Sequence, residues 1–282
     1  RCVAGGETLA LRVHRAGYQS RMAIESELCW TARLADVGFP CPRPRVSNDG
    51  AFLRALPGGQ YASAVSWLEG KAIGASGKAL EGSDADLRAR FTALGARIAA
   101  FHEATDAIET DDIQRPAWDA DALLGEEPLG GCFWENPTLS ATEAELLLRA
   151  KARGYELLVS MEGADAGLIH ADCLQENVLA TPEGLALIDF DDAGFGYRAY
   201  DLGTAMVQHF AHPERALFEE ALLSGYGTLR AAPSRDELLF FMALRGLASC
   251  GGSISRAAGD EEAQRSQALR AIRLAEEWLA ST

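Results

Sequence analysis

The chain has 282 residues, of which 48% are hydrophobic, and this composition argues for a protein with a packed core and against a disordered chain. Acidic residues outnumber basic residues by 41 to 26, and the net charge of -15 argues against a nucleic-acid partner, since binding to a phosphate backbone depends on Lys and Arg. The same charge permits a cationic substrate without requiring one.

The cysteines and the hydropathy pattern indicate where the protein functions. The six cysteines are scattered, with neither a C-x-x-C pair nor a histidine at metal-ligand spacing, so we expect reduced thiols rather than a zinc site or a disulfide framework. We find no apolar run that approaches the roughly 20 residues of a membrane span, and no signal peptide. A cytoplasmic protein with no membrane partner is therefore predicted. Because the chain begins at Arg1 without a Met, we expect that its natural start lies upstream.

The first 68 residues predict two strands, a helix and two further strands. Apolar and polar side chains alternate around the Gly-Gly turn in "RCVAGGETLALRVHR", which is typical of a hairpin. The pattern becomes helical from Ser20 to about Asp36, and the prolines of "FPCPRP" end that helix. The segments "AFLRAL" and "YASAVSWL" flank a "PGG" turn and indicate the last two strands.

The remainder of the chain is predominantly helical. It follows a glycine-rich passage, "EGKAIGASG", which we interpret as a hinge or linker. Ser83 and Ser140 are predicted helix N-caps, the second with the S-x-x-E spacing of a capping box. Helical periodicity recurs near residues 200–212, 214–227, 235–249 and 260–280. We therefore predict an α+β protein with a small β-rich lobe over residues 1–68 and a larger, mostly helical lobe over residues 69–282.

The residues that carry chemistry lie in "GLIHADCLQENVLATPEGLALIDFDDAGFG", residues 167–196. The two apolar runs on either side of "TPEG" predict a hairpin, which would bring Asp189 back beside Asn177 and near Asp172. Two oxygen ligands beside a free carboxylate suit Mg²⁺-assisted phosphoryl transfer. Hard oxygen donors hold the metal and leave positions for phosphates, while a second Asp orients the attacking hydroxyl.

The order and spacing of these residues resemble a known family. "HADCLQEN" followed by "IDFD" resembles the H-x-D-x-x-x-x-N and D-F-G motifs of protein kinases, in the form used by the aminoglycoside phosphotransferase family, which includes choline-kinase-like and homoserine-kinase-like enzymes. The resemblance implies a two-lobed protein-kinase-like fold, ATP as the phosphate donor with GTP as the alternative, and Mg²⁺ as the metal. It also implies that Asp172 is the catalytic base and that Asn177 and Asp189 are the metal ligands.

The resemblance extends to the N-terminal lobe. Arg12 in "LALRVHR" stands where the family has a phosphate-contacting Lys, and Glu27 in "IESELCW" would be its acidic partner. The segment "AVSWLEG" resembles the interlobe hinge, so the backbone of Ser66, Trp67 and Leu68 would meet the adenine. An Arg keeps the positive charge of the Lys but not its geometry. The glycine-rich loop that covers the phosphates in this family is missing, since it would precede the first residue.

Several residues near the motifs are assigned supporting roles. Asp201 in "YDLG" would brace the catalytic loop through its backbone amides, and His170 would lock the same loop by hydrogen bonds. Asp191 is either a second metal ligand or the cap of the next turn, and Asp192 is expected in solvent. We expect Cys173 to be a packing residue, since no His partner is evident. The aromatic pair in "GGCFWENP" is expected to line a substrate pocket.

The sequence therefore predicts a kinase that phosphorylates a hydroxyl group of a small molecule, with an aminoglycoside-like, homoserine-like or choline-like acceptor. A bacterial Ser/Thr protein kinase is the alternative. It is disfavoured because only nine residues, 192–200, separate "DFD" from Asp201 and leave no room for a long peptide-docking segment. A nucleotide-binding pseudokinase, with Arg12 as its first lesion, is a third hypothesis. The intact Asp172, Asn177 and Asp189 argue against it.

Overall fold

The N-terminal part of the protein is built on an antiparallel sheet. The computed structural model describes residues 1–161 and 163–281. The strands of this sheet are β1 (Cys2–Ala4), β2 (Glu7–Val13), β3 (Pro44–Arg45), β4 (Leu53–Ala55) and β5 (Tyr61–Ser66). β1 pairs with β2 and β2 with β5, while β3 and β4 pair with successive halves of β5. The predicted opening hairpin is therefore present, and the short β3 is an additional strand.

Helix α1 (Arg21–Asp36) packs on this sheet. Ser20 caps the helix, since its hydroxyl accepts a hydrogen bond from the amide of Ala23 at 3.1 Å. Ile24 and Leu28, one turn apart, form a small buried cluster with Leu53 of β4. This packing fixes the helix against the strand that follows it and so positions Glu27, one residue before Leu28, toward β2.

The C-terminal part contains seven helices among the described residues. They are α2 (Asp84–Asp106), α3 (Ala120–Leu124), α4 (Ala141–Ser160), α5 (Arg198–Val207), α6 (Arg215–Tyr226), α7 (Arg235–Arg256) and α8 (Glu261–Ser281). The hydroxyls of Ser83 and Ser140 cap α2 and α4 as predicted, each within a full capping box. The four helices predicted after residue 200 are also present, although α7 extends seven residues beyond its predicted end.

Two small three-stranded sheets connect the helices to the N-terminal sheet. One contains β6 (Lys71–Ala72), β9 (Val178–Thr181) and β10 (Gly184–Leu187), and the other contains β7 (Ala117–Trp118), β8 (Ala166–Ile169) and β11 (Gly194–Tyr197). The predicted hairpin is β9 with β10, and its register pairs Val178 with Leu187. β6 lies in the glycine-rich passage and pairs with β9, so this passage is partly ordered into a sheet.

Glycines allow the main helices to approach closely. A Cβ atom added to Gly225 of α6 would lie 1.9 Å from the carbonyl oxygen of Thr92 in α2, and one added to Gly95 of α2 would lie 2.0 Å from the carbonyl oxygen of Leu222. Only glycine therefore fits at this helix crossing. The close contact holds α2 and α6 as one layer of the core.

Helix α7 is the one described helix that is long and apolar enough to cross a membrane by length and composition. This finding corrects the expectation that no segment approaches such a length. The helix lies inside the fold, however, with 78% of its apolar window buried by the rest of the protein. We therefore interpret α7 as a core helix, and its apolar character is explained by contacts with α5 and α8.

Candidate active site

The hairpin register brings together the three residues that the motif spacing singled out. Because Val178 pairs with Leu187, the next residues on each strand are also neighbours, and the amide of Ile188 donates to the carbonyl oxygen of Asn177 at 3.0 Å. Asp189 follows immediately. The Nδ2 of Asn177 donates to the main-chain oxygen of Asp172 at 3.0 Å and to its carboxylate Oδ2 at 2.7 Å. Asp172, Asn177 and Asp189 thus lie at one end of the hairpin.

The catalytic loop that follows β8 is held in a constrained conformation. Among the described residues, Ala171 and Asp189 are the only non-glycine residues with positive φ, at 61° and 65°. The buried carboxylate of Asp201 accepts hydrogen bonds from the amides of His170 at 2.9 Å and Ala171 at 2.7 Å. His102 of α2 contacts the same carboxylate at 3.1 Å. Asp201 therefore lies where it can brace the loop through its backbone amides.

His170 connects the loop to the hairpin. Its Nε2 lies 3.0 Å from the carbonyl oxygen of Ile188, and its Nδ1 lies 3.3 Å from the amide of Asp172. Since a carbonyl oxygen can only accept and an amide can only donate, these contacts assign the neutral imidazole with its proton on Nε2. Both ring nitrogens are therefore engaged within the protein, as a structural role requires.

Asp172 has a cationic partner that sequence reasoning missed. Its carboxylate Oδ1 accepts a hydrogen bond from Nη2 of Arg245 at 2.6 Å, in an ion pair whose Arg245 side chain is buried and whose Asp172 side chain is partly exposed. Burial raises the pKa of Asp172, and the charge of Arg245 opposes that rise without cancelling it. Arg245 stands alone as a cation in the apolar run "LLFFMALRGLASC" of α7, and such an isolated buried Arg was the available signal.

Arg12 of β2 lies among three carboxylates. Its Nη1 is 3.3 Å from Glu27 and its Nη2 is 2.7 Å from Asp189, and the same Nη2 contacts Asp191. Burial raises the pKa of Glu27 to about 7, although the charge of Arg12 acts in the opposite direction. Burial also raises the pKa of Asp191. The guanidinium thus joins α1 of the N-terminal part to the "DFD" turn.

The donor atoms around this cleft suit a hard divalent cation. A cavity of about 350 Å³ is lined by acidic and basic side chains that include Arg12, Asp172, Asp189 and Asp191. Both Nδ2 contacts of Asn177 go to Asp172, and its amide oxygen has no hydrogen-bond partner among the residues that the structure describes. No three His, Cys, Asp or Glu of the described residues form a metal cluster. A cation here would be completed by water and phosphate oxygens, as is usual for Mg²⁺.

A buried arginine that the sequence did not reveal fixes the turn after Asp189. Nε of Arg115 donates to the carbonyl oxygen of Ala193 at 2.6 Å, and Nη1 donates to that of Ala23 in α1 at 3.0 Å. Nε1 of Trp118 donates to the carbonyl oxygen of Asp192 at 2.8 Å. The side chain of Asp192 is only partly exposed and contacts the hydroxyl of Tyr18, so the expectation that it lies in solvent is wrong.

The predicted hinge leaves one amide for a ligand. The amide of Ser66 donates to the carbonyl oxygen of Arg43 at 2.8 Å, and that of Trp67 donates to Thr8 at 3.1 Å. Within the described part of the chain, the amide of Leu68 has no backbone partner. Of the three amides, that of Leu68 is therefore the one that remains available to a ligand.

Two smaller expectations concern residues beside the cleft. Phe133 is fully buried in the core and Trp134 packs under Lys151, whose Nζ lies 4.8 Å from the ring centroid. Neither is among the residues that line the three cavities beside Asp172, and because Phe133 is fully buried the expectation that it lines a substrate pocket is wrong, whereas that for Trp134 stays a prediction. Cys173 is buried, and burial raises its thiol pKa well above the usual value. A packing role agrees with this position.

Comparisons with known proteins agree on one family. The model of the Phosphotransferase enzyme family matches residues 1–239. An uncharacterized protein of Deinococcus radiodurans is 30% identical over 267 residues, which cover 92% of this chain and 74% of the relative. A microcompartment-associated aminopropanol kinase is 29% identical with a TM-score of 0.81, and the match covers 98% of this chain and 87% of that one.

A more distant structure shows the fold alone. An amicoumacin kinase, solved in complex with AMP-PNP, Ca²⁺ and Ami, is 20% identical with a TM-score of 0.72 over 98% of this chain and 83% of that one. Together these matches confirm the predicted α+β, protein-kinase-like fold and the predicted family.

Proposed function

Since the chain belongs to the phosphotransferase enzyme family, whose members phosphorylate hydroxyl groups of small molecules, we propose that it transfers the terminal phosphate of ATP to a homoserine-like, choline-like or aminoglycoside-like acceptor. One observation carries the proposal. The register of the β9–β10 hairpin brings Asn177 beside Asp189, the Nδ2 of Asn177 contacts Asp172, and Asp172 and Asp189 line one cavity together with the cation Arg12. Phosphoryl transfer is catalysed mainly by positioning and by charge neutralisation, which these groups can provide.

Asp172 is proposed as the base that orients the acceptor hydroxyl. Its carboxylate is held from two sides, by Nη2 of Arg245 at 2.6 Å and by Nδ2 of Asn177 at 2.7 Å. These contacts fix the direction of the carboxylate before an acceptor arrives. Because burial raises the pKa of Asp172, its carboxylate is also a better proton acceptor than an exposed Asp.

Asn177 and Asp189 are proposed to hold Mg²⁺, whose chemistry when bound is to neutralise charge on the phosphates of ATP. Arg12 is proposed to contact the phosphates from the other side of the cleft. Glu27 keeps the Arg12 side chain in place, at 3.3 Å from Nη1. Asp191, which also contacts Arg12, is proposed to position that guanidinium. The backbone of Leu68 is proposed to meet the adenine.

The segment after "DFD" supports a small acceptor over a protein. Residues 194–197 form β11, which pairs with β7 on one side and with β8 on the other, and α5 begins at Arg198. Residues 194–197 are therefore paired on both sides, and they form no free loop on which a peptide substrate could dock. The complete set of Asp172, Asn177 and Asp189 argues against a pseudokinase.

The proposal is tested by measuring ADP release from ATP with a panel of alcohols. Asp172→Asn keeps the size and polarity of the side chain and removes the carboxylate. We expect kcat to fall by about 10²–10⁴-fold with little change in the KM for ATP. Asp111→Asn, at an exposed position outside the cleft, is the matched control and should behave as wild type. An unchanged kcat for Asp172→Asn would show that another residue orients the hydroxyl.

A further inference from the structure

We infer that the acceptor carries an anionic group, a carboxylate or a phosphate, which Arg245, Arg256 and Arg270 bind on the helical side of Asp172. This inference rests on the proposed kinase function and specifies its substrate class. We refer to these three side chains as the arginine triad. They come from α7 and α8, which also form much of the C-terminal core.

The arginine triad lines a single cavity next to the catalytic loop. The cavity has a volume of about 250 Å³ and includes Leu174 and Glu176 of that loop. Arg256 also lines the cavity that contains Asp172 and Asp189, and with Arg245 it lines a third one of about 190 Å³. The three spaces are therefore adjacent and share the side chain of Arg256. A small molecule bound to the triad would have its other end next to Asp172.

The charges of the triad are poorly compensated by the protein itself. Arg245 pairs with Asp172, but neither Arg256 nor Arg270 has an ion-pair partner among the described residues. Glu176 is the one acid that lines this cavity, and its carboxylate accepts hydrogen bonds from Nε2 of Gln208 at 2.9 and 3.2 Å. The cavity therefore has an excess of positive charge.

Arg270 is the member of the triad whose guanidinium has the fewest partners within the protein. Its Nη1 donates to the neutral Oε1 of Gln267 at 3.2 Å, and its Nε is buried without a hydrogen-bond partner in the described part of the chain. Burial and the nearby charge of Arg245 lower the pKa of Arg270, while the charge of Glu176 acts in the opposite direction. A half-buried guanidinium without a direct ion-pair partner in the described part of the chain is unfavourable, and an anionic ligand would supply one.

The position of Arg256 depends on a glycine one helical turn earlier. A Cβ atom added to Gly252 would lie 2.4 Å from Nη2 of Arg256, so the guanidinium occupies its present position because residue 252 is glycine. The three nearest atoms outside the neighbouring helix backbone, among the described residues, all belong to this guanidinium. Gly252→Ala should therefore displace Arg256 and leave the rest of α7 in place, since Ala favours a helix more than Gly does.

Guanidinium groups recognise carboxylates and phosphates because their planar donors match the two oxygens of such anions. The charges of Arg256 and Arg270, which have no ion-pair partner among the described residues, repel a purely cationic acceptor. The triad therefore favours an alcohol that bears a carboxylate or a phosphate over an amino alcohol, a choline-like alcohol or an aminoglycoside.

The test compares acceptors and variants of the full chain. ADP release is measured with L-homoserine, a short hydroxy acid, glycerol 3-phosphate, 1-amino-2-propanol, choline and an aminoglycoside. We expect kcat/KM to be at least about tenfold higher for an acidic alcohol than for the cationic alcohols. The hydroxy acid and glycerol 3-phosphate distinguish a carboxylate from a phosphate. A preference for 1-amino-2-propanol, choline or the aminoglycoside would overturn the inference and leave the kinase function intact.

Variants provide a second readout. Arg270→Gln and Gly252→Ala should each raise the KM for the acidic acceptor about tenfold while the KM for ATP stays constant. Arg273→Gln, an exposed position on the same helix, is the matched control. Calorimetric binding of inorganic phosphate and malonate, without ATP, should weaken in Arg270→Gln. Equal binding of both anions to Arg270→Gln and wild type would overturn the inference. Loss of that binding without ADP release from any alcohol would retain the anion site and refute the kinase function.

Discussion

Replacing Asp189 by Asn should preserve the fold and remove most of the stabilisation by Mg²⁺-ATP. The carboxylate of Asp189 is 48% exposed, so its ion pair with Arg12 contributes at most about 1 kcal/mol. Removing its charge also relieves repulsion that raises the pKa of Asp191. Arg12 keeps Glu27 and Asp191 as partners. Asn adopts positive φ more readily than most residues, which suits the φ of 65° at this position.

The two effects differ enough in size to be separated. Without ligand, a loss of at most about 1 kcal/mol lowers Tm by no more than roughly 4 °C in a chain of this length. A ligand at a hundred times its Kd stabilises the wild type by about 2.7 kcal/mol, which corresponds to roughly 5–10 °C. Most of this shift should disappear in Asp189→Asn, because an amide lacks the charge that a metal-phosphate complex requires.

Thermal unfolding with and without Mg²⁺-ATP measures both effects. Asp192→Asn is the matched control, since it removes a carboxylate from the same turn at a position with no proposed metal contact. It should keep the ligand shift. A full shift in Asp189→Asn would refute the assignment of this residue to the metal, and an unfolded variant would refute the view that its contacts contribute little to stability.

Two further predictions concern stability. Hydrogen bonding from Arg265 lowers the pKa of Glu143 from 4.5 to about 2, so Glu143→Gln should cost about 1 kcal/mol at pH 7 after allowance for solvent screening. This contribution is complete above pH 4.5 and is lost as the pH falls toward 2. Urea unfolding at pH 3 should therefore show a smaller difference in stability between Glu143→Gln and wild type than at pH 7. An equal difference at both pH values would show that the ion pair is not its origin. Gly225→Ala places a Cβ 1.9 Å from the carbonyl oxygen of Thr92 and should cost about 1–3 kcal/mol by urea unfolding, whereas Ser224→Ala on the exposed face of α6 should be nearly neutral. Equal midpoints for the two variants would show that the helices can separate without cost.

The sequence predicted the features that depend on local chemistry. Ser83 and Ser140 cap helices because a hydroxyl followed by an acid three residues later satisfies the first amides of a helix, and this signal is complete within four residues. The hairpin after Asn177 was equally readable, since two apolar runs separated by a short turn can pair in few ways.

Features that depend on distant partners were not predicted. The strands β3, β6 and β7 have two residues each, too few for any periodicity, and exist only because of the strands beside them. The roles of Arg115 and Arg245 depend on which buried groups the fold brings to them. From the sequence, Asp191 was either a metal ligand or the cap of a turn. The structure shows a third role, an ion pair with Arg12, which lies 179 positions earlier in the chain.

The left-handed backbone at Ala171 limits how freely the core can change during evolution. A non-glycine residue in this conformation is strained by roughly 1–3 kcal/mol, and the amide of Ala171 is held there by Asp201. Asp201 in turn contacts His102 of α2, a helix that precedes the catalytic loop by many residues in the sequence. A substitution that shifts α2 by a fraction of an ångström would therefore change the orientation of the Asp172 carboxylate before it unfolds the protein. Amino-acid changes in the helical core are consequently limited by their effect on the catalytic rate as well as by their effect on stability.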